Sequence, residues 1–212
     1  MIFSHKNIGL RFIVTFILFF LILFSACVKD RVEPPTAQFG IIPPGNKLLI
    51  HYWNFNTIDT TLAPTFTEGG GEILVGGTFD DVTPGTFLNV RNANDSASAL
   101  RIRNPSTTMI LSLPTTGYKE AVFSFAVMRT SSGAQSNIIS YTVDGVNYIS
   151  AGLQNNLITV TEIWTAYSID FSALEGVNNN SNFAIKITFD LGNTAATGND
   201  RYDNITLDAL PI

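Results

Sequence analysis

From Lys47 onward apolar and polar residues alternate in short runs, and turn-forming residues interrupt the runs every eight to twelve positions. Such a run buries one whole face when extended, whereas a helix would scatter it around the axis. Ala121 to Arg129 is the clearest case: Phe123, Phe125 and Val127 share one face, Ser124 and Ala126 the other. The same pattern predicts strands over 48–55, 86–90, 99–103, 109–113, 138–143, 146–149, 157–161, 164–171, 183–190 and 205–207. Asp144-Gly145 between two β-prone runs predicts a tight hairpin, since both turn residues would take positive φ. Thr67 to Gly77 holds five of the 16 glycines and predicts a loop or wide hairpin. Phe171 to Gly176 could form one helical turn, and no window carries a sustained 3.6-residue stripe. About ten strands in one core predict an all-β fold, a two-sheet antiparallel β-sandwich over residues 47–212.

The N-terminus follows different rules. Residues 1–11 carry Lys6 and Arg11 and no acid, and an apolar run from Phe12 to Phe24 is interrupted only by Thr15. Ser25-Ala26-Cys27 follows, completing the form of a secretory signal peptide over residues 1–26. The run is shorter than the roughly 20 residues a spanning helix needs. An uncleaved signal anchor is the alternative. Leu23-Phe24-Ser25-Ala26-Cys27 resembles the lipobox of bacterial lipoproteins, with Phe24 where that family more often has Leu, Val or Ile. The resemblance implies cleavage before Cys27, a diacylglycerol on its sulfur and an acylated amine. Several acyl chains together hold a membrane that one chain grips only marginally. Residues 27–46 then read as a lipidated N-terminus and a short Pro-rich tether, with Pro34-Pro35 and Pro43-Pro44-Gly45 blocking regular structure.

Removing residues 1–26 takes away Lys6 and Arg11 and no acid, so 10 basic residues face 17 acidic ones and the formal charge falls from −5 to −7. Nucleic acid, which needs clustered Lys and Arg, is not an expected partner. His5 also leaves, and His51 becomes the last histidine. Sites needing two imidazoles are excluded. His51 lies on an apolar strand, where a structural role is the commoner one.

The order of several motifs carries a second resemblance. His51-Tyr52-Trp53-Asn54-Phe55-Asn56 opens the domain, and Leu100-Arg101-Ile102-Arg103-Asn104-Pro105 and Thr116-Gly117-Tyr118 follow. Tyr141-Thr142-Val143-Asp144-Gly145 and Asn182-Phe183-Ala184-Ile185-Lys186-Ile187 come next, and Arg201-Tyr202-Asp203-Asn204-Ile205-Thr206-Leu207 closes the chain. Over residues 47–210 this series resembles the jelly-roll modules of Bacteroidetes surface and secreted proteins, similar in shape to carbohydrate-binding modules. The resemblance implies a jelly-roll β-sandwich, an outer-membrane location and, in some members, a structural Ca²⁺ held by an Asp near the last strand. Asp203 is then the first candidate ligand and Asp200 the second. The alternative is that Asp203 or Asn204 hydrogen-bonds loop backbone at the entry to the final strand. A full calcium shell would need a sequence-distant partner such as Asp59 or Glu72.

Catalytic patterns are missing. No Glu-x-Asp-x-x-Glu string of laminarinase-like jelly rolls occurs, and Asp80-Asp81 would point to opposite sides of a strand. Gly69-Gly70-Gly71 lacks the Lys of a phosphate loop, and no Gly-x-Ser-x-Gly elbow exists. A non-enzymatic role is expected. Sugar rings stack on exposed aromatic faces, so Trp164, Tyr167 and Trp53 are candidate ligand residues, with Tyr52 and Tyr148 also available. Trp53 lies among Ile50, Tyr52 and Phe55 in a pattern more usual for a core. Arg101 and Arg103 share one strand face and could grip a carboxylate, or lie in solvent. Two functions stay open. One is a surface-anchored glycan-binding module, which needs at least one exposed aromatic on a groove or sheet face. The other is a structural or protein-interaction component of the envelope, such as an adhesin or transporter-associated subunit.

Overall fold

The computed structural model describes residues 45–57, 62–190 and 197–212. The expected signal peptide, Cys27, all but the last two residues of the expected tether, and Asp59 lie outside the described residues.

Among the described residues twelve strands form: β1 (Leu48–Trp53), β2 (Phe66–Thr67), β3 (Glu72–Val75), β4 (Phe79–Val82), β5 (Ala99–Arg103), β6 (Thr108–Ser112), β7 (Tyr118–Arg129), β8 (Ser136–Thr142), β9 (Leu157–Thr159), β10 (Thr165–Asp170), β11 (Ala184–Asp190) and β12 (Asn199–Pro211). One 3-10 turn covers Glu175–Val177. A seven-stranded sheet runs β10-β7-β12-β1-β2, with β5 beside the first half of β12 and β4 beyond β5. A five-stranded sheet runs β3-β6-β11-β8-β9. Every pairing is antiparallel. The result is an all-β, two-sheet sandwich of jelly-roll type.

The alternation sets the core directly. Phe123, Phe125 and Val127 of β7, Tyr202, Ile205 and Leu207 of β12, and Leu111, Ile185 and Ile187 of the smaller sheet are all fully buried in one cluster. Phe171 and Phe183 meet edge-on with centroids 5.2 Å apart, the arrangement aromatic quadrupoles prefer. Burying each large side chain contributes on the order of 2–3 kcal/mol.

Several elements differ from the sequence expectation. Residues 86–90 form no strand: the whole segment 83–98 is a strap across the outward face of the seven-stranded sheet. Its backbone is bonded by side chains of β12. Thr86 N–H donates to Asp203 Oδ2 at 2.7 Å, and Asn204 Nδ2 donates to the carbonyls of Thr86 at 2.7 Å and Leu88 at 3.0 Å. A bulge between Asp203 and Thr206, with Asn204 at φ 49°, lets both side chains reach Thr86. A Cβ at Gly85 would collide with the Ser98 carbonyl and the Asp203 carboxylate, so the strap lies close here. β12 is far longer than 205–207, because β7 pairs with it along nearly its full length. Asp144-Gly145 does turn the chain, with Gly145 at φ 80°, but residues 146–149 form no strand and make one bridge, Tyr141 to Ile149. Asp144 accepts from Val146, Asn147 and Thr142, which holds an open loop rather than a two-residue hairpin. The Gly-rich segment contains β3, and β4 follows it. The helical turn forms later than expected, at Glu175–Val177.

Candidate functional site

Along β11, Ile185 and Ile187 face the core, so Lys186 points outward from the five-stranded sheet. The register places Leu74, Ile110, Lys186 and Ser140 in one row across that face. The next row holds Thr108, Thr188, Ile138 and Leu157. The row on the other side of Lys186 holds Glu72, Ser112, Ala184 and Thr142. Tyr148, from the loop after β8, lays its ring 4.4 Å from the Lys186 ammonium, a cation–π distance. Partial burial pushes the Tyr148 phenol above its ordinary pKa. Leu74 is 54% exposed, Ile138 41% and Leu157 61%, so apolar surface flanks the hydroxyl rows. Hydroxyls, the Glu72 carboxylate, one ammonium, one aromatic ring and aliphatic patches thus share a sheet face that no strap crosses among the described residues. Among the described residues no carboxylate pairs with Lys186.

The other candidates are placed differently. Trp53 is corrected from ligand residue to core: it is 1% exposed, and its Nε1–H donates to the Leu62 carbonyl at 2.9 Å. A buried ring offers no face to a sugar. Tyr52 is buried as well, donating its O–H to Asn204 Oδ1 at 2.8 Å. Trp164 and Tyr167 are both half-buried. Tyr167 pairs with Phe125 and packs on the core, and its O–H donates to the Thr159 carbonyl at 2.7 Å. It ties β10 to β9 across the edge of the sandwich. Trp164 and Tyr167 therefore form no common platform. Arg101 and Arg103 do grip a carboxylate, but it is the chain's own Asp80. Arg101 Nε and Nη2 each donate at 2.7 Å, and Arg103 Nη2 donates at 2.7 Å. These contacts, those of Arg101 foremost, hold the Asp80 pKa down at about 2.

Asp203 accepts from Thr86 N–H at one oxygen and from its neighbour Asn204 N–H at the other, at 2.7 and 2.8 Å. Asp200 accepts from Ala134 N–H at 2.9 Å through Oδ1, while its buried Oδ2 has no partner. Burial raises both pKa values to about 7 against the pull of those N–H groups. Glu72 stands on the outward face of the opposite sheet. Among the described residues no three His, Cys, Asp or Glu side chains converge, and these residues alone do not make a six-oxygen calcium shell. His51 is fully buried between Thr67 Oγ1 at 2.7 Å and the Pro114 carbonyl at 2.8 Å. Only Nε2 can donate to that carbonyl. Nδ1 then accepts from Thr67, which suits a neutral ring whose pKa burial lowers.

Sequence reasoning did not single out Lys186, although its place between Ile185 and Ile187 marks it as outward-facing. Tyr148 was named only as an available aromatic, because loop position alone does not reveal which sheet a ring will lie on.

No protein-family model matches this sequence, and no curated protein matches it. Several solved structures are similar in shape. The CBM22-1 xylan-binding domain from Paenibacillus barcinonensis matches with a TM-score of 0.49 and 13% identity, covering 78% of this chain and 97% of that one. The K1 cleaved adhesin domain of Lys-gingipain from Porphyromonas gingivalis matches with a TM-score of 0.40 and 10% identity, covering 78% and 99%. A family 11 carbohydrate-binding module of Clostridium thermocellum matches with a TM-score of 0.39 and 15% identity, covering 77% and 95%. No residue role is carried over from them.

Proposed function

We propose that this chain is a non-catalytic glycan-binding module, carried on the bacterial cell surface by a lipid on Cys27. The observation that carries the binding reading is the outward face of the five-stranded sheet. There the Tyr148 ring and the Lys186 ammonium sit among hydroxyl rows flanked by exposed Leu74, Ile138 and Leu157. A sugar ring has the matching chemistry. Its C–H faces lie on aromatic or aliphatic surface, and its hydroxyls exchange hydrogen bonds with Ser, Thr and Lys. The anchor rests on the lipobox resemblance, and an outer-membrane position rests on the family resemblance.

Affinity electrophoresis of the full chain through gels holding a broad polysaccharide panel tests the binding reading. Retardation by at least one polysaccharide, lost in Tyr148→Ala, is expected. Migration unchanged across the panel would sink it. The second reading, a protein-interaction component, is favoured by the exposed Ile138–Leu157 pair on the same face. Recovery of one stable envelope protein, lost in Leu157→Asp, together with no glycan binding would establish it instead. Acyl labelling of the wild type but not of Cys27→Ser is the expected result for the anchor.

A further inference from the structure

The outward face of the seven-stranded sheet has one region the strap leaves open, and its charge is out of balance. Arg201 of β12 sits directly opposite Arg101 of β5, and Asp80 of β4 lies opposite Arg101 on its other side. Arg103 is two residues along from Arg101 on the same face, and both bind Asp80. Among the described residues, three guanidiniums therefore face one hydrogen-bonded carboxylate, with Asp81 acting on Arg101 only through space. Arg201 Nε donates to Asn199 Oδ1 at 3.2 Å, and no carboxylate pairs with Arg201 among the described residues. Burial lowers the Arg201 pKa, and repulsion from Arg101 lowers it further.

Like charges directly opposite in a ladder cost stability. This domain has an excess of acid, so the cost is not explained by general composition. Asp80 and Asn199 hold the guanidiniums at their Nε or Nη2 atoms. Among the described residues, that leaves Arg201 Nη1 and Nη2 and Arg103 Nε and Nη1 as donors without a hydrogen-bond acceptor. All three cations are Arg and none is Lys. Planar forks are what two-point recognition of an oxyanion needs.

We propose that Arg201 and Arg103, beside Arg101, form an oxyanion-binding site for the carboxylate or sulfate group of an acidic glycan. The site lies on the opposite sheet from Tyr148 and does not depend on the five-stranded face. Asp80 serves it by positioning Arg101 and Arg103.

Calorimetric titration of the full chain at low ionic strength tests it, with sodium sulfate, a galacturonic acid trimer and an uncharged galactose trimer as probes. The acidic trimer should bind at least about tenfold tighter than the neutral one, and Arg201→Gln should remove that preference, the scale of one charge-assisted hydrogen bond. Tyr148→Ala should leave the preference intact, which separates this site from the glycan-binding face. If Arg201→Gln fails to fold, Arg103→Gln gives the same readout, since Arg101 still holds Asp80. Saturable sulfate binding that Arg201→Gln weakens places the site's ligand among small oxyanions. Binding of the trimer without sulfate places it on a glycan chain. Equal binding of acidic and neutral trimers without sulfate binding, or acidic binding unchanged in Arg201→Gln, overturns the proposal.

Discussion

The two outward faces of the sandwich begin from the same alternation and end in opposite states. On the seven-stranded sheet, outward residues of β12 such as Asp203, Thr206 and Asp208 are each no more than 2% exposed, because the strap 83–98 lies over them. Arg91 of the strap reaches Asp208 at 3.2 Å, and Asn89 Nδ2 donates to the Asn204 carbonyl at 2.7 Å. On the five-stranded sheet no strap crosses among the described residues, and Lys186, Thr188, Ile138 and Leu157 stay at least partly in contact with solvent. A polar residue on an outward strand face is thus a binding candidate only where nothing covers it. Covered, it becomes part of a second, polar core.

Four changes would break or sharpen this contrast. Asn204→Ala should have the largest effect. It strands the buried carbonyl of Thr86 and the part-buried carbonyl of Leu88, removes the acceptor of the Tyr52 hydroxyl, and puts a Cβ-bearing residue with no polar side chain at φ 49°. A loss of about 4 kcal/mol in chemical denaturation is expected. A loss below ~1 kcal/mol would mean that the strap is not held by this network.

The pH dependence comes next. Asp200 and Asp203 titrate near 7 when folded and near 3.8 when unfolded, so the folded chain holds extra protons between those values. Stability is full below about pH 4 for these groups and falls as pH rises through about 7, by roughly 4 kcal/mol for each group at most. Asp200→Asn, which keeps the acceptor for Ala134 N–H, should flatten about half of that slope. Thermal melts from pH 5 to pH 8 with a rising or flat profile would contradict the burial assigned to both carboxylates.

On the uncovered face, Tyr148→Ala should change stability by less than ~1 kcal/mol yet weaken glycan retention about tenfold, measured on one protein batch by melts and affinity gels. The smallest effect is expected from Asp80→Asn. Its ion pairs are partly exposed and screened, so a loss of about 1 kcal/mol or less should appear, and it should shrink in high salt.

The strands legible in the sequence were those whose neighbours also alternate. β5 was read with its observed bounds, and β7, β8, β10 and β11 within a few residues. β2 and β4 were missed because two- and four-residue edge segments carry too little pattern, and β3 because it sits inside a glycine-rich stretch. Residues 86–90 look like a strand because Phe87, Leu88 and Val90 are apolar, but side chains more than a hundred residues away claim their backbone. The same long-range pairing explains the candidate residues. For Arg101 and Arg103 the sequence left a carboxylate grip and a solvated face both open. That the carboxylate is Asp80, and that Arg201 joins them, follows from a register no local pattern encodes.

By itself, the order of residues determined the all-β class, the inward set of Phe, Ile and Leu, and the outward direction of Lys186, because strand alternation is a local geometric rule. Only the tertiary structure decided which outward face is covered, which Asp is buried, and which aromatic ring stays at the surface. Those outcomes depend on where a connecting segment crosses a sheet. Hydrogen bonds between residues far apart in the chain set that crossing.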